Sequence, residues 1–284
     1  MRRLPIHPAA LWGVLKEVRA ASEDFRPLVV GGAPGPAAEL RRLLTEGGDE
    51  HAVRDVSGRA PAVYDLEGAA LLVWSLEGSL GKDDVEVFRL ADRKDVETMC
   101  VVVGRATRPE EDIPFVLATN VVAAPADAPL PLAAIVERIA ALTDEKGYTL
   151  AARLPALRPA VCEAIIQRFS RQNGILGAAI FIPGADFPVL TLNQIRMVFR
   201  IAAAYGHEID RDRAVELLGV VGAGLGFRAA ARQALVVVPI AGWAVKGGIA
   251  YTGTRALGEA AVRYFEKGGT GALRERVASV RSRT

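Results

Sequence analysis

Residues 29–40 read VVGGAPGPAAEL: an apolar run ends at a glycine pair, and a helix-like segment follows over 37–44. Three more apolar runs lie downstream, AALLVWSL at 69–76, TMCVVV at 98–103 and IPFVLATNVV at 113–122. Segments 83–94 and 130–142 between and after them have the pattern of helices. Apolar strands alternating with helices are typical of a parallel sheet covered on both faces. We therefore predict a doubly wound α/β domain over residues 25–147.

Length and charge indicate a second domain after the first. A chain of 284 residues corresponds to about two domains. Residues 1–150 contain 17 Lys/Arg and 24 Asp/Glu, whereas residues 151–284 contain 18 and 9, so an acidic half precedes a basic one. We predict an all-α helical domain over 148–284. Residues 1–24 are predicted to be an amphipathic helix, with apolar positions at Leu11, Val14, Leu15 and Val18.

Composition excludes several classes of protein. Two cysteines, Cys100 and Cys162, are too few for a disulfide scaffold or a four-cysteine metal site, and the three histidines form no metal motif. The N-terminus lacks the apolar core of a secretory signal, which predicts a cytoplasmic location. The longest apolar stretch, QALVVVPIAGWAV at 233–245, is short for a membrane span and suits a buried or interfacial helix. Attachment to the inner face of the cell membrane is the alternative.

The glycine-rich turn after the first strand is a candidate phosphate cradle formed by Gly31, Gly32 and Gly35. The working phosphate loop has the pattern GxxxxGK[ST]. With Gly31 as the first glycine, Ala37 and Ala38 occupy the positions of the lysine and the hydroxyl residue. Prolines at 34 and 36 also remove two N–H donors. The competing interpretation is a tight strand-to-helix turn without a ligand.

Two further loop motifs of nucleotide-binding proteins are present only in part. Asp55 and Gly58 have the DxxG form of a loop that senses γ-phosphate and Mg²⁺, and Asp65 to Gly68 repeats that form. Residues 104–107 read GRAT, without the acid that an NKxD guanine-specificity loop requires. The candidate nucleotide-binding residues are therefore degenerate: Gly31, Gly32, Gly35, Asp55 and Gly58.

The order of these elements resembles a small Era-like GTPase domain over residues 25–147. The resemblance implies a P-loop-GTPase-like sheet whose nucleotide chemistry has been lost, that is, a pseudo-GTPase domain. Phosphoryl transfer depends on charge neutralisation by lysine and Mg²⁺. This sequence lacks both the lysine and the hydroxyl residue that binds Mg²⁺. We therefore predict no cofactor and no metal; GTP with Mg²⁺ is the alternative.

The second half resembles the YcjF-like, GTPase-associated family of bacterial domains of unknown function. The resemblance is carried by LAARLPALRPAVCEAIIQRFSRQN at 150–173 and PGADFPVLTLNQIRMVFRIAAAYG at 183–206, and it continues to about Phe265. Arg196 and Arg200 lie one turn apart on one face of the second segment. The resemblance implies a helical domain that follows an Era-like GTPase domain or belongs to a membrane-associated protein.

Glycines are dense in the last part of the chain, where they would weaken a helix unless two backbones approach closely. We predict a packed helical hairpin over 212–265, with Gly222 and Gly226 at small-xxx-small spacing and Pro239 near the bend. Two alternatives remain open, a dense soluble core and a hairpin that inserts into a membrane or binds a partner. The candidate interaction residues are Gly222, Gly226, Val236, Val237, Pro239 and Trp243.

These observations favour a non-catalytic scaffold or regulatory protein, and no catalytic residue is assigned. The expected partner is a protein or an anionic membrane surface that meets the helical domain. Nucleic acid is not expected, because the basic half lacks interleaved aromatic residues. The alternatives are an atypical GTP- or ATP-binding switch and an α/β enzyme with an unrelated small ligand. The sequence does not indicate an oligomeric state.

Overall fold

A computed structural model describes residues 8–104, 113–179, 187–207 and 243–268. The chain divides into two compact units. The α/β unit lies within Asp24–Val161. The other combines Met1–Glu23 with Cys162–Thr284, and we call it the helical unit because its described residues form helices. The division falls between Val161 and Cys162, and the N-terminal helix belongs with the C-terminal part of the chain.

Five parallel strands form one sheet among the described residues. They are β1 (Leu28–Gly32), β2 (Val53–Ser57), β3 (Leu71–Glu77), β4 (Thr98–Val103) and β5 (Val121–Ala124). The strand order is β2-β1-β3-β4-β5. The chain moves from β1 to one side for β2 and then to the other side for β3, so the order reverses beside β1. Ligands of open α/β sheets bind outside the carboxyl ends of the strands at such a reversal.

The α-helices of the described residues are numbered in chain order. They are α1 (Pro8–Glu23), α2 (Pro34–Thr45), α3 (Val63–Leu66), α4 (Lys82–Arg93), α5 (Leu132–Thr143), α6 (Gly147–Arg153), α7 (Arg158–Ala179), α8 (Phe187–Ala204) and α9 (Trp243–Glu266). The predicted α/β fold with a parallel sheet is confirmed. Its core is built on buried residues of β1, β3 and β4, with Trp74 packed edge-on against Phe88 of α4.

Two strands differ from the sequence prediction. β2 was not among the predicted strands, because only Val53 and Val56 in it are fully buried and its other residues are polar. The predicted strand at 113–122 becomes a turn followed by the short strand β5. Phe115 has a positive φ of 65°, and the Val116 N–H donates to the Ile113 carbonyl (3.0 Å), so the apolar run starts as a turn.

Helix α6 belongs to the α/β unit because it bonds back to the loop after α2. The Asp49 N–H donates to the Arg153 carbonyl (2.9 Å), and the Arg153 guanidinium pairs with the Asp49 carboxylate (3.2 Å). The same guanidinium lies over the ring of Phe25, 3.9 Å from its centroid. These contacts are within a unit that extends past residue 147, the end of the α/β domain predicted from sequence.

In the helical unit, α8 packs against both α1 and α9. Helices α7 and α9 run antiparallel, because Gly174 of α7 faces Gly247 while Ile166, two turns earlier, faces Gly258. Three buried polar side chains join the helices of this unit. Thr254 accepts hydrogen bonds from Asn173 of α7 (2.9 Å) and from Gln194 of α8 (3.0 Å). This polar layer fixes how α7, α8 and α9 are aligned.

Candidate functional site

The turn between β1 and α2 lies at the strand-order reversal, where a doubly wound sheet would bind a ligand. Only Ala33 separates the last residue of β1 from the first residue of α2. Gly32 has a φ of 95°, and a Cβ at this position would clash with the backbone of Ser75 in β3. The Ser75 hydroxyl donates to the Gly31 carbonyl (2.9 Å). The turn is therefore drawn tightly against β3, where a nucleotide phosphate loop would need room.

Most backbone amides of this turn already have acceptors within the protein. The Ala33 N–H donates to the Ser75 carbonyl (2.9 Å), and the Ala37 N–H donates to the Ala33 carbonyl (3.0 Å). Pro34 and Pro36 have no N–H to offer. A phosphate cradle depends on several free N–H groups that converge on one point. The N–H groups of Ala33 and Ala37 are therefore not available to a phosphate.

The side chains needed for nucleotide chemistry are also missing at the turn. Ala37, at the position of the phosphate-binding lysine, is buried in the core, and Ala38, at the position of the hydroxyl residue, is exposed. Neither residue carries a charge or a metal ligand. Among the described residues no group of His, Cys, Asp or Glu is arranged to hold a metal ion.

The structure places Gly58 against the turn, whereas the Asp55 carboxylate pairs with a cation of α2. The Gly58 N–H donates to the Gly32 carbonyl (3.2 Å). Asp55 accepts a hydrogen bond from the Ser57 N–H (2.9 Å) and pairs with Arg41 of α2 (3.5 Å). Desolvation alone would raise the pKa of Asp55, but the hydrogen bonds from Ser57 and the charge of Arg41 outweigh it and lower the pKa. Asp55 is thus an anion already engaged with a cation.

Asp65, the acid of the second DxxG pattern, has a structural partner of its own. Its carboxylate receives two hydrogen bonds from the Arg59 guanidinium, at 2.6 and 2.8 Å, and one from the Ala62 N–H at 2.7 Å. The hydrogen bonds from Arg59 lower the pKa of Asp65 and outweigh its burial. Since the side chain is only 5% exposed, it stabilises the turn before α3 and is not open to a ligand.

The predicted hairpin residues Gly222, Gly226, Val236, Val237 and Pro239 lie outside the described residues. Trp243 is the first residue of α9. Two glycines of α9, Gly247 and Gly258, approach α7 closely. A Cβ on Gly247 would lie 2.8 Å from the Gly174 carbonyl oxygen, and one on Gly258 would lie 2.6 Å from Ile166.

The helical unit contains a charged cluster that sequence reasoning found only in part. Glu17 of α1 accepts from Arg196 Nε at 3.1 Å and from Arg200 at 3.1 Å. The side chain of Arg200 is only 8% exposed, and its guanidinium lies 5.4 Å from the centroid of the Phe169 ring. The spacing of the two arginines was visible in the sequence. Glu17 was not, because no local pattern relates it to residues 179 and 183 positions away.

Both cysteines of the chain are buried, Cys100 in β4 and Cys162 in α7. Burial raises the pKa of the Cys100 thiol far above its ordinary value, so it stays protonated and is a poor nucleophile. The polar residues that sequence reasoning missed are those of the helical interior, Asn173, Gln194 and Thr254. Each of them lies in a helix whose apolar positions dominate the sequence pattern.

A scan against protein-family models and searches of curated proteins and of solved structures found no significant match to this chain. Among the helices of the described residues, none combines the length and the apolar character that crossing a membrane requires.

Proposed function

We propose that this chain is a non-catalytic scaffold or regulatory protein, made of a GTPase-like α/β unit without nucleotide chemistry and a helical unit that binds a partner. The proposal draws on the Era-like order of elements in residues 25–147 and the YcjF-like sequence that follows. The order of the sheet is compatible with a nucleotide-binding ancestry, because doubly wound sheets of this kind bind ligands beside β1.

The observation that carries the proposal is the closed turn between β1 and α2. A phosphate placed there would find the N–H groups of Ala33 and Ala37 already hydrogen-bonded to backbone carbonyls of the protein. It would find no lysine, because the corresponding side chain is the buried methyl group of Ala37. Without the lysine and the hydroxyl residue that holds Mg²⁺, the triphosphate charge is poorly neutralised, and binding as well as hydrolysis loses its main source of free energy.

Exposed apolar side chains support an interaction role for the helical unit. Large hydrophobic residues are exposed at the C-terminal end of α7 and near the starts of α8 and α9: Ile175, Val189, Val245 and Ile249. The antiparallel arrangement of α7 and α9 places Ile175 and Ile249 toward the same end of the unit. A contiguous exposed apolar patch is typical of a surface that meets another molecule, and these side chains are the candidates for one.

Calorimetry of the full-length protein with GTP or ATP, each with Mg²⁺, tests the proposal directly. We expect no saturable heat up to millimolar nucleotide. Saturable binding would overturn the proposal and favour the nucleotide-binding switch. In that case Gly35→Asp, which adds a negative charge at the exposed start of α2, should weaken binding, whereas Gly47→Asp beyond the end of α2 should not.

Flotation of the full-length protein with neutral and anionic vesicles distinguishes a protein partner from a membrane. A protein partner predicts no flotation. Flotation that persists in high salt would contradict this and indicate insertion. Flotation on anionic vesicles alone, lost in high salt, would instead indicate attachment through the basic residues.

A further inference from the structure

Helix α1 packs over two arginines of α8, Arg196 and Arg200, which together bind one carboxylate of α1. Glu17 contributes one oxygen to Arg196 and the other to Arg200, each at 3.1 Å. A single carboxylate that bridges two guanidinium groups is a strong, directional contact, because both hydrogen bonds are charge-assisted. Glu17 remains 42% exposed, whereas the two arginines are 27% and 8% exposed. The carboxylate of Glu17 is therefore more exposed than the two guanidinium groups that it bridges.

The arginines are positioned by helices other than α1. Arg200 lies against the ring of Phe169 from α7. Arg196 donates to Asn193 (3.4 Å), and Asn193 in turn donates to Asn173 of α7 (3.0 Å). These supports belong to α7 and α8, so they do not depend on α1.

Helix α1 also packs against α8 through buried apolar side chains. Val14, Leu15 and Val18 are its fully buried apolar side chains, while Leu11 is half-buried. Together with Glu17 they form one face, with aliphatic residues three and two positions before the acid and one position after it. Lys16 lies on the opposite, exposed face, and Arg19 is also exposed. Three buried aliphatic side chains and one carboxylate on the same helix form a compact recognition pattern that another helix could reproduce.

We propose that α1 is an internal ligand of a helix-binding groove on α8. A partner protein displaces it with an amphipathic helix that carries a carboxylate at the position of Glu17 and aliphatic residues at those of Val14, Leu15 and Val18. The choice of occupant rests on charge complementarity, because two arginines require an anion, and on the helix that already fills the groove. The inference concerns a different surface from the exposed apolar residues Ile175 and Ile249, and it rests on the proposed function being an interaction.

The test uses a labelled peptide of residues 8–23 and the full-length chain with Glu17→Arg. In this variant the new cation faces Arg196 and Arg200, so α1 should leave the groove and the peptide should bind in its place. We expect fluorescence anisotropy to show binding at least tenfold tighter than to the wild-type chain, whose groove is occupied. The same peptide with Glu17→Arg should bind the variant chain at least tenfold more weakly.

The matched control is the full-length chain with Lys16→Glu, which reverses a charge on the exposed face of the same helix. This variant should bind the peptide no better than the wild type does. The proposal is overturned if a folded Glu17→Arg chain, verified by circular dichroism, binds the peptide as poorly as the wild type. It is also overturned if the peptide's own charge reversal makes no difference.

If Glu17→Arg does not fold, the milder variant Glu17→Gln tests the same proposal. For Glu17→Gln we expect faster hydrogen exchange confined to residues 8–23, because α1 alone is loosened. Faster exchange throughout α8 and α9 as well would mean that α1 is an integral part of the unit, and would overturn the proposal. Nucleotide calorimetry reports separately: saturable GTP binding would overturn the proposed function, whereas absent peptide binding without nucleotide binding would overturn only the groove.

Discussion

At the scale of single residues, the glycines of one turn have different reasons to be glycine. Gly32 has a positive φ, and the backbone of Ser75 occupies the space of its missing side chain. Gly35, three residues later, has no atom within 4 Å of where a Cβ would lie. A glycine-rich motif read from sequence treats the two alike, whereas the structure requires glycine at only one of them.

This contrast gives a stability prediction with an internal control. Gly32→Ala should destabilise the protein by about 2–4 kcal/mol, because strain at positive φ adds to a backbone clash. Gly35→Ala should change stability by less than about 1 kcal/mol, because its φ is not positive and no atom beyond its chain neighbours lies within 4 Å of the added Cβ. Urea unfolding of both variants measures the difference. Equal effects would mean that the turn adapts to a side chain at Gly32.

The lowered pKa of Asp65 predicts a pH-dependent contribution to stability. Above its ordinary pKa of 3.8 the carboxylate is charged in both the folded and the unfolded states, and its bonds with Arg59 stabilise the fold in full. As the pH falls through the lowered pKa of the folded state, protonation removes that contribution. Asp65→Asn should therefore be clearly less stable than the wild type at neutral pH, and the deficit should shrink in strong acid.

Urea unfolding at neutral pH and at about pH 3 measures this change, since the acid limb lies below the ordinary carboxyl pKa. Asp83→Asn is the matched control, because Asp83 is exposed in the first turn of α4. Its effect should be small at both pH values. A deficit for Asp65→Asn that stays constant with pH would show that the charge of Asp65 contributes nothing.

At the scale of elements, the crossing of α7 and α9 explains several glycines that would otherwise weaken helices. A Cβ on Gly177 would lie 2.8 Å from the Cβ of Ala250, and one on Gly247 would lie 3.1 Å from the Cβ of Ala178. The two backbones approach too closely for larger residues. Close approach allows many dispersion contacts, which compensate for the poor helix propensity of glycine.

Neighbouring glycines in α9 should therefore respond in opposite directions. Gly247→Ala should destabilise by about 1–3 kcal/mol, because the added methyl group meets the Gly174 carbonyl oxygen. Gly248→Ala should stabilise by about 0.5–1 kcal/mol, because nothing lies within 4 Å and alanine favours a helix interior. Thermal or urea unfolding of the two variants provides the comparison. A loss in both would place Gly248 at a contact as well.

The sequence predicted those elements whose burial pattern is uniform. β4 was predicted at 98–103 and lies at Thr98–Val103, because all six of its residues are buried. The pattern failed for the run beginning at Ile113, where a left-handed Phe115 turns the chain before β5. It also missed β2, whose exposed Asp55 and half-buried Arg54 interrupt the apolar positions.

The candidate site, like the fold, could be predicted from the sequence only in part. The missing lysine and hydroxyl residue could be read directly, since Ala37 and Ala38 stand at defined spacings from Gly31. The use of the turn's amides by Ser75 could not, because it depends on how two strands pair. Long-range ion pairs such as Glu17 with Arg196 require the tertiary structure, since sequence patterns report only near neighbours.

At the scale of the whole molecule, the two compact units are expected to respond separately to damage. A unit with its own core tends to open as one cooperative piece. Hydrogen exchange should therefore increase first in peptides of residues 24–161 for Gly32→Ala, and first in peptides of α8 and α9 for Gly247→Ala. An equal increase throughout the described residues for either variant would show that the chain opens as one cooperative structure.

The placement of α1 in the helical unit also has a consequence for synthesis. Arg196 and Arg200 follow Glu17 by 179 and 183 residues along the chain. At about 5–20 residues per second, a ribosome needs roughly 10–35 s to make that intervening stretch. The whole parallel sheet is translated in this interval, and during that time the apolar side of α1 cannot yet pack against α8. The first helix of this unit to be made is therefore among the last to reach its place.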